Sequence, residues 1–407
     1  MRPRSIRASG QRGFSLVELM VGVAIGLVVT LAIFQVLVAS EGRKRSLTGV
    51  NDVSQSGAYS VYAIDRLLRS AGTGFAEGMD RVGGCRLNAR LPLASGESLP
   101  RVNPFPAPFT GMPRFQRLAP VLIFPGASDA GSDVIMVMSG ASGYGEVLAT
   151  VQAGTITGSD LQLTNTIGYR AGDLVMIAGG GECLLSEVDA AKPPCAGDPA
   201  SPTLTTVCGP QLPLSGTYFT DVAAHTSLAT LNGISGVSTF TLGNPSRGNP
   251  PRFLMLGVGA GSTLFAHDLL LATGVNVSEP IAEGVQDMRA VYGIDTNNDG
   301  VLDAWQSPTV ASGWDGETLM NGSGVSNGRL RQIVAIRVGL VMRSALVERE
   351  LEAGVPVAPA SLRLFGDLPA ANQVTIDLTQ PGQNRNQRHR TIEITVPLRN
   401  ILMLSTS

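Results

Sequence analysis

The chain has 407 residues, of which only 15% are charged, against about 25% in an ordinary soluble protein, and its 49 glycines and 25 prolines require many turns. Net charge is −2, but residues 1–13 hold four arginines and no acid, leaving 26 basic and 32 acidic side chains in the remainder. That balance excludes a nucleic-acid surface, which needs clustered cations to displace phosphate counterions, while the length allows two or three domains or one large β-rich body with an appendage.

From Phe14 to Ala39 the run "FSLVELMVGVAIGLVVTLAIFQVLVA" carries one charge, Glu18. A secretory signal has an apolar core of about 7–15 residues, roughly half this length. A plain membrane anchor fits better: Leu19 to Ala39 gives about 31 Å of helix, enough to span the hydrocarbon. The basic arm then stays cytoplasmic, although Arg43, Lys44 and Arg45 on the far side weaken that bias. Neither alternative accounts for an acid that is disfavoured by about 2.5–3.5 kcal/mol at membrane depth.

"GFSLVELM" (Gly13–Met20) resembles the processing site of type IV prepilins. The resemblance implies cleavage by a prepilin peptidase between Gly13 and Phe14, with methylation of the new amine. Glu18 then stands fifth in the mature chain, where its carboxylate meets the cationic N-terminus of a neighbouring subunit, so that two costly buried charges satisfy each other on packing. Gly22 and Gly26 form a GxxxG spacing that permits close helix approach.

Beyond Ser40, Leu47, Val50, Val53, Gly57, Val61, Ile64 and Leu68 recur at spacings of three and four, which predicts an amphipathic helix ended by "SAGTG" at 70–74. The predicted units are a leader (1–13), a membrane or filament-core helix (14–40), an amphipathic half-helix (41–72) and a β-rich head (73–407). Within the head, prolines make 85–125 loop-like, and 183–208 is expected to be an irregular excursion stapled by cysteine. Strands are predicted at 121–124, 133–138, 173–178, 252–259, 262–271, 285–294, 331–344 and 389–404, the last two as half-buried strands.

Cys85, Cys183, Cys195 and Cys208 lack the tight pairs of a zinc site, so disulfides are expected, with three connectivities open. In "DTNNDGVLDAWQ" (295–306), Asp295, Asn297, Asp299, the Val301 carbonyl and Asp303 alternate around the Gly300 turn as Ca²⁺ ligands do. Gln306 stands where such a loop needs a bidentate glutamate, and the alternative is a polar hairpin turn. "GVGAG" (257–261) lacks the lysine and strand–helix context of a phosphate loop. His225, His267 and His389 form no metal or triad pattern, His267 suits a packed core, and no nucleophile has a base partner, so no enzyme is expected.

"AIDRLLRSAGTGF" (63–75), "EPIAEGVQDMRAVYGIDTNNDG" (279–300), "IVAIRVGLVMRS" (333–344) and "RTIEITVPLRN" (390–400) resemble the PilW family of type IV pilus assembly proteins. The resemblance implies an α+β, pilin-like fold: a long N-terminal helix, half membrane and half amphipathic, packed on a large antiparallel β-rich head. It implies a minor pilin near the pilus tip that helps to initiate assembly and contributes to adhesion and twitching. Its partners are then the peptidase, major and other minor pilins, and the inner-membrane assembly machinery. The head sits in the periplasm before the subunit enters the surface pilus. A type II secretion pseudopilin and a receptor-binding tip adhesin are the competing expectations.

Overall fold

The computed structural model describes residues 15–92, 97–141, 148–192, 209–219, 227–271, 274–350, 354–380 and 382–402. The leader, the Gly13–Phe14 junction, His225, Cys195 and Cys208 lie outside the described residues. The chain divides into two units, residues 1–52 and 53–407. The helix α1 (Leu16–Arg69, 54 residues) is all of the described first unit and opens the second. Every side chain from Leu16 to Val38 is exposed, and this 23-residue stretch has a mean hydropathy of 2.6. At 1.5 Å per residue it is about 34 Å long, so it is long and apolar enough to cross a membrane.

The buried stripe of α1 is shorter than the spacing predicts. Val53, Gly57, Ser60, Ile64 and Leu68 are buried and Val61 half-buried, whereas Leu47 and Val50 are 66% and 40% exposed. Leu47 and Val50 belong to the first unit, which has no described sheet of its own to cover an apolar face. The helix stops where Gly72 and Gly74 take left-handed φ values of 79° and 85°, and the Gly72 N–H turns to the Met138 carbonyl at 2.9 Å.

The covering surface in the head is a four-stranded sheet in the order Ala304–Gln306, Val285–Ile294, Ile333–Val347, Gln387–Pro397. Its middle strands are buried on both faces. Met288, Tyr292, Ile336, Val338, Leu340 and Met342 join the main core with Ile64 and Leu68, while Val291 and Val341 pack with Leu364, Phe365 and Ile376 beside the hairpin of Ser361–Leu364 and Val374–Asp377. Two-sided burial explains why "IVAIRVGLVM" is nearly continuous in apolar residues, where half-buried strands had been expected. Its one cation, Arg337, is neutralised by Asp367 at 2.6 Å and Glu393 at 2.7 Å. The last strand ends at Pro397, and Arg399–Leu402 form a short helix instead of continuing to 404.

A five-stranded sheet (Glu279–Glu283, Thr263–Asp268, Arg252–Gly259, Val134–Ser139, Val121–Phe124) adjoins the first. Buried Asp133 ties them together: its carboxylate accepts the Gly126 and Ala290 N–H groups at 3.1 and 3.0 Å and pairs with Arg289 at 3.1 Å. Burial pushes Asp133 up from the ordinary carboxylate range, and Arg289 opposes that shift. Tyr292 adds a second tie, its hydroxyl accepting the Ile123 N–H.

The third sheet has eight strands, in the order Ser98–Leu99, Arg86–Arg90, Glu182–Val188, Leu174–Gly179, Ser238–Gly243, Ala149–Thr150, with Asp160–Gln162 and Gln211–Ser215 attached beside Glu182–Val188. Arg86–Arg90 and Glu182–Val188 run parallel, a departure from the expected antiparallel head. Cys183 therefore sits in a strand and not in an irregular excursion, and residues 193–208 of that expected excursion lie outside the described residues. A parallel pair cannot be closed by a hairpin, and here Arg86 pairs with Glu182, 96 residues further along the chain. The Cys85–Cys183 disulfide, with Cα atoms 5.4 Å apart, closes that loop covalently.

Two stability tests follow from this architecture. Gly57→Val forces a side chain into Ile392 and should cost about 1–3 kcal/mol in a chemical melt of the head. Cys85→Ser with Cys183→Ser should lower unfolding free energy by about 4–5 kcal/mol if chain entropy carries the staple. A loss below about 1 kcal/mol would instead assign the pairing to the sheet itself.

Candidate functional site

Two regions carry the candidate residues. The first is the start of α1, where Glu18 lies in the first helical turn and is followed by the exposed apolar stretch to Val38. Carboxylates are favoured near helix N-termini, where the unpaired N–H groups leave a partial positive charge. Gly22 and Gly26, four residues apart, leave a bare strip along the helix, with nothing within 4 Å of either Cβ position. Thr30 donates its hydroxyl to the Gly26 carbonyl at 2.6 Å, so this polar side chain is satisfied within the helix. The segment offers a continuous exposed apolar surface with no catalytic arrangement of side chains.

The second region is the loop 295–303, a hairpin connection between antiparallel Val285–Ile294 and Ala304–Gln306. Asp295 is buried and organises the turn from inside. Its Oδ1 accepts the N–H groups of Asn297, Asn298 and Asp299 at 3.2, 2.6 and 3.2 Å, and its Oδ2 accepts that of Gly300 at 2.6 Å. Asn298 and Gly300 take left-handed φ values of 62° and 85°, which bend the backbone around that carboxylate. Asp299 accepts from Val301 N–H at 2.8 Å, and Asp303 accepts from Thr296 N–H at 2.7 Å and from the Thr296 hydroxyl. Those Thr296 bonds hold Asp303 below the ordinary carboxylate range.

Asn297, Asp299 and Asp303 are exposed, and Gln306 is committed to the strand opposite Tyr292. Among the described residues, no three His, Cys, Asp or Glu side chains converge as a cation cage. The geometry is that of a self-satisfied turn in which backbone N–H groups saturate the central carboxylate. Trp314, which follows the loop, is buried with the Arg329 guanidinium 5.4 Å above its ring, while Trp305 is half-buried against the hairpin cluster.

The remaining candidates separate. Cys85 and Cys183 are joined. His267 is buried in the five-stranded sheet and His389 lies on the last strand of the four-stranded sheet, so they form no common site. "GVGAG" ends the strand Arg252–Gly259 and turns at Gly261, whose φ is 72°. Sequence reasoning missed the partners of Asp133, because Arg289 and Ala290 lie more than 150 residues away in the chain.

Residues 248–400 match the family model of type IV pilus-assembly protein W, a span that takes in the last three strands of the five-stranded sheet and the whole four-stranded sheet. Residues 8–34 match the prokaryotic N-terminal methylation motif, which covers Gly13, Phe14 and Glu18. No curated protein and no solved structure matches the chain. An apolar N-terminal helix bearing the methylation motif, joined to a β-rich head whose residues 248–400 match the pilus-assembly model, supports a structural type IV pilus protein similar to the PilW family and points away from an enzyme.

Proposed function

We propose that this pilin is a minor subunit that helps to initiate pilus assembly from a position near the tip. Glu18 carries the reading: one acid in the first turn of a helix otherwise apolar through Val38 is costly in lipid unless a cation meets it. The free amine exposed by cleavage after Gly13 on a neighbouring subunit is that cation, and the pairing makes leaving the bilayer and joining the filament one event. Before assembly the single helix anchors the chain in the inner membrane with the head in the periplasm; afterwards major and minor pilins surround it. The prepilin peptidase and the inner-membrane assembly machinery are its processing and assembly partners.

The test has two arms. Gly13→Val should leave an uncut band on a gel, and N-terminal sequencing of the wild type should begin at methylated Phe14. Glu18→Val should insert and be cut normally, yet fall by about tenfold or more in sheared pili, the equivalent of about 1.4 kcal/mol in incorporation. Wild-type levels of the mutant in pili would refute the pairing role.

Ca²⁺ binding at loop 295–303 is a separate proposal, supported by the order of Asp295, Asn297, Asp299, Val301 and Asp303 around Gly300. Calorimetric titration of the detergent-solubilised chain should then show heat that disappears in Asp299→Ala. Absence of heat, with an unchanged melt, would leave the loop as a purely structural turn.

A further inference from the structure

Residues 100–115 form a loop whose base is pinned by backbone bonds and whose body is held chiefly by side chains. At one end Ser98–Leu99 pair with Ala89 and Arg90; at the other, Gln116 and Leu118 exchange backbone bonds with Leu87 and Cys85 at 2.9 Å. Arg101 N–H closes the base on the Arg114 carbonyl at 2.9 Å. Between these ties stand Pro100, Pro104, Pro106, Pro108 and Pro113, which donate no N–H and cannot join a ladder. The body keeps a backbone tie to the rest of the head, from the Asp129 N–H to the Pro108 carbonyl at 2.9 Å, and is otherwise attached by side chains.

Phe105 and Phe109 are buried, and both meet His267 of the strand Thr263–Asp268, with ring centroids 5.8 and 6.0 Å from the imidazole. His267 is 1% exposed. Its Nδ1 lies 3.2 Å from the Val277 carbonyl, so a neutral ring donates its one N–H there. Nε2 is buried with no hydrogen-bond partner among the described residues. Arg101, 4% exposed, stacks 4.8 Å from the Phe105 ring, donates to Asn276 Oδ1 at 3.2 Å and lies 3.5 Å from Glu97.

We propose that His267 is an acid-sensitive latch for the loop 100–115: neutral, it seats Phe105 and Phe109 on the five-stranded sheet; protonated, it sets a second cation near Arg101 in an apolar wall and releases the loop. Burial pushes the imidazole down to about 4 from its ordinary 6.5; the bond to the Val277 carbonyl opposes that shift, and Arg101 adds a smaller push downward. An open loop protonates His267 near 6.5, whereas the seated one resists until about 4, so seating is fully favoured above 6.5 and weakens as pH falls through that window. The other charged residues on the elements around the site are Glu97 beside Arg101, Asp268 on the same strand, Glu279 on the neighbouring strand and Asp129, which accepts from Thr110.

Hydrogen exchange of the full chain in detergent, corrected for intrinsic pH dependence, tests the latch. Between pH 6.5 and 4, protection of 100–115 should fall by on the order of 100-fold relative to the four-stranded sheet, while His267→Phe stays flat. A flat wild type, an unchanged slope in His267→Phe, or loss across all sheets together would overturn the proposal. If His267→Phe does not fold, NMR titration of His267 in the wild type decides: an apparent pKa above about 6 overturns the latch, and one below about 5 supports it.

Discussion

At Gly57 the backbone of α1 approaches the four-stranded sheet so closely that Ile392 fills the space a side chain would need, with Met342 beside it. The same helix face then sinks Ile64 and Leu68 into the core with Tyr292, Leu340 and Met342. Polar ends secure the seat: Ser54 accepts from Arg390 at 3.0 Å, Ser56 donates to the Glu283 carbonyl, and Asn400 donates to the Ala71 carbonyl at 2.9 Å. Burial of apolar area supplies the attraction, while these directional bonds set where along the sheet the helix stops.

From that seat the head extends through strand Val285–Ile294. One edge pairs with Ile333–Val347 and the other with Ala304–Gln306, while Ala290 and Arg289 hold Asp133 of the adjoining sheet. The region matched by the pilus-assembly model contains this strand and both of its neighbours. The eight-stranded sheet lies before it in the chain; one face joins the main core through Leu87, Met176, Leu185 and Phe240, and the other carries a second core around Leu161, Ile177, Leu184 and Leu212.

Buried titratable residues of the head have structural partners: Asp133 with Arg289, Asp173 with Asn244 at 2.8 Å, and Tyr169 with the Thr239 carbonyl at 3.3 Å. Such groups cost too much to bury unpaired, so each was placed where a partner already waited. His267, with one ring nitrogen satisfied and the other without a hydrogen-bond partner among the described residues, is the group to which we assign acid sensitivity of the proline-rich loop.

Residues 13–38 spoke for themselves, because an apolar run of membrane length, a Gly-Phe junction and one early acid are local features that need no tertiary partner to be recognised. The strands at 121–124, 252–259 and 285–294 were equally legible, since apolar runs bounded by turn residues report burial directly. Only folding decided that Cys85 chooses Cys183, that their strands run parallel, that the helical stripe is covered from Val53 onward, and that Asp295 spends its oxygens on four backbone N–H groups. Each of those outcomes depends on which distant surface arrives opposite a residue, and residue order alone does not encode that meeting.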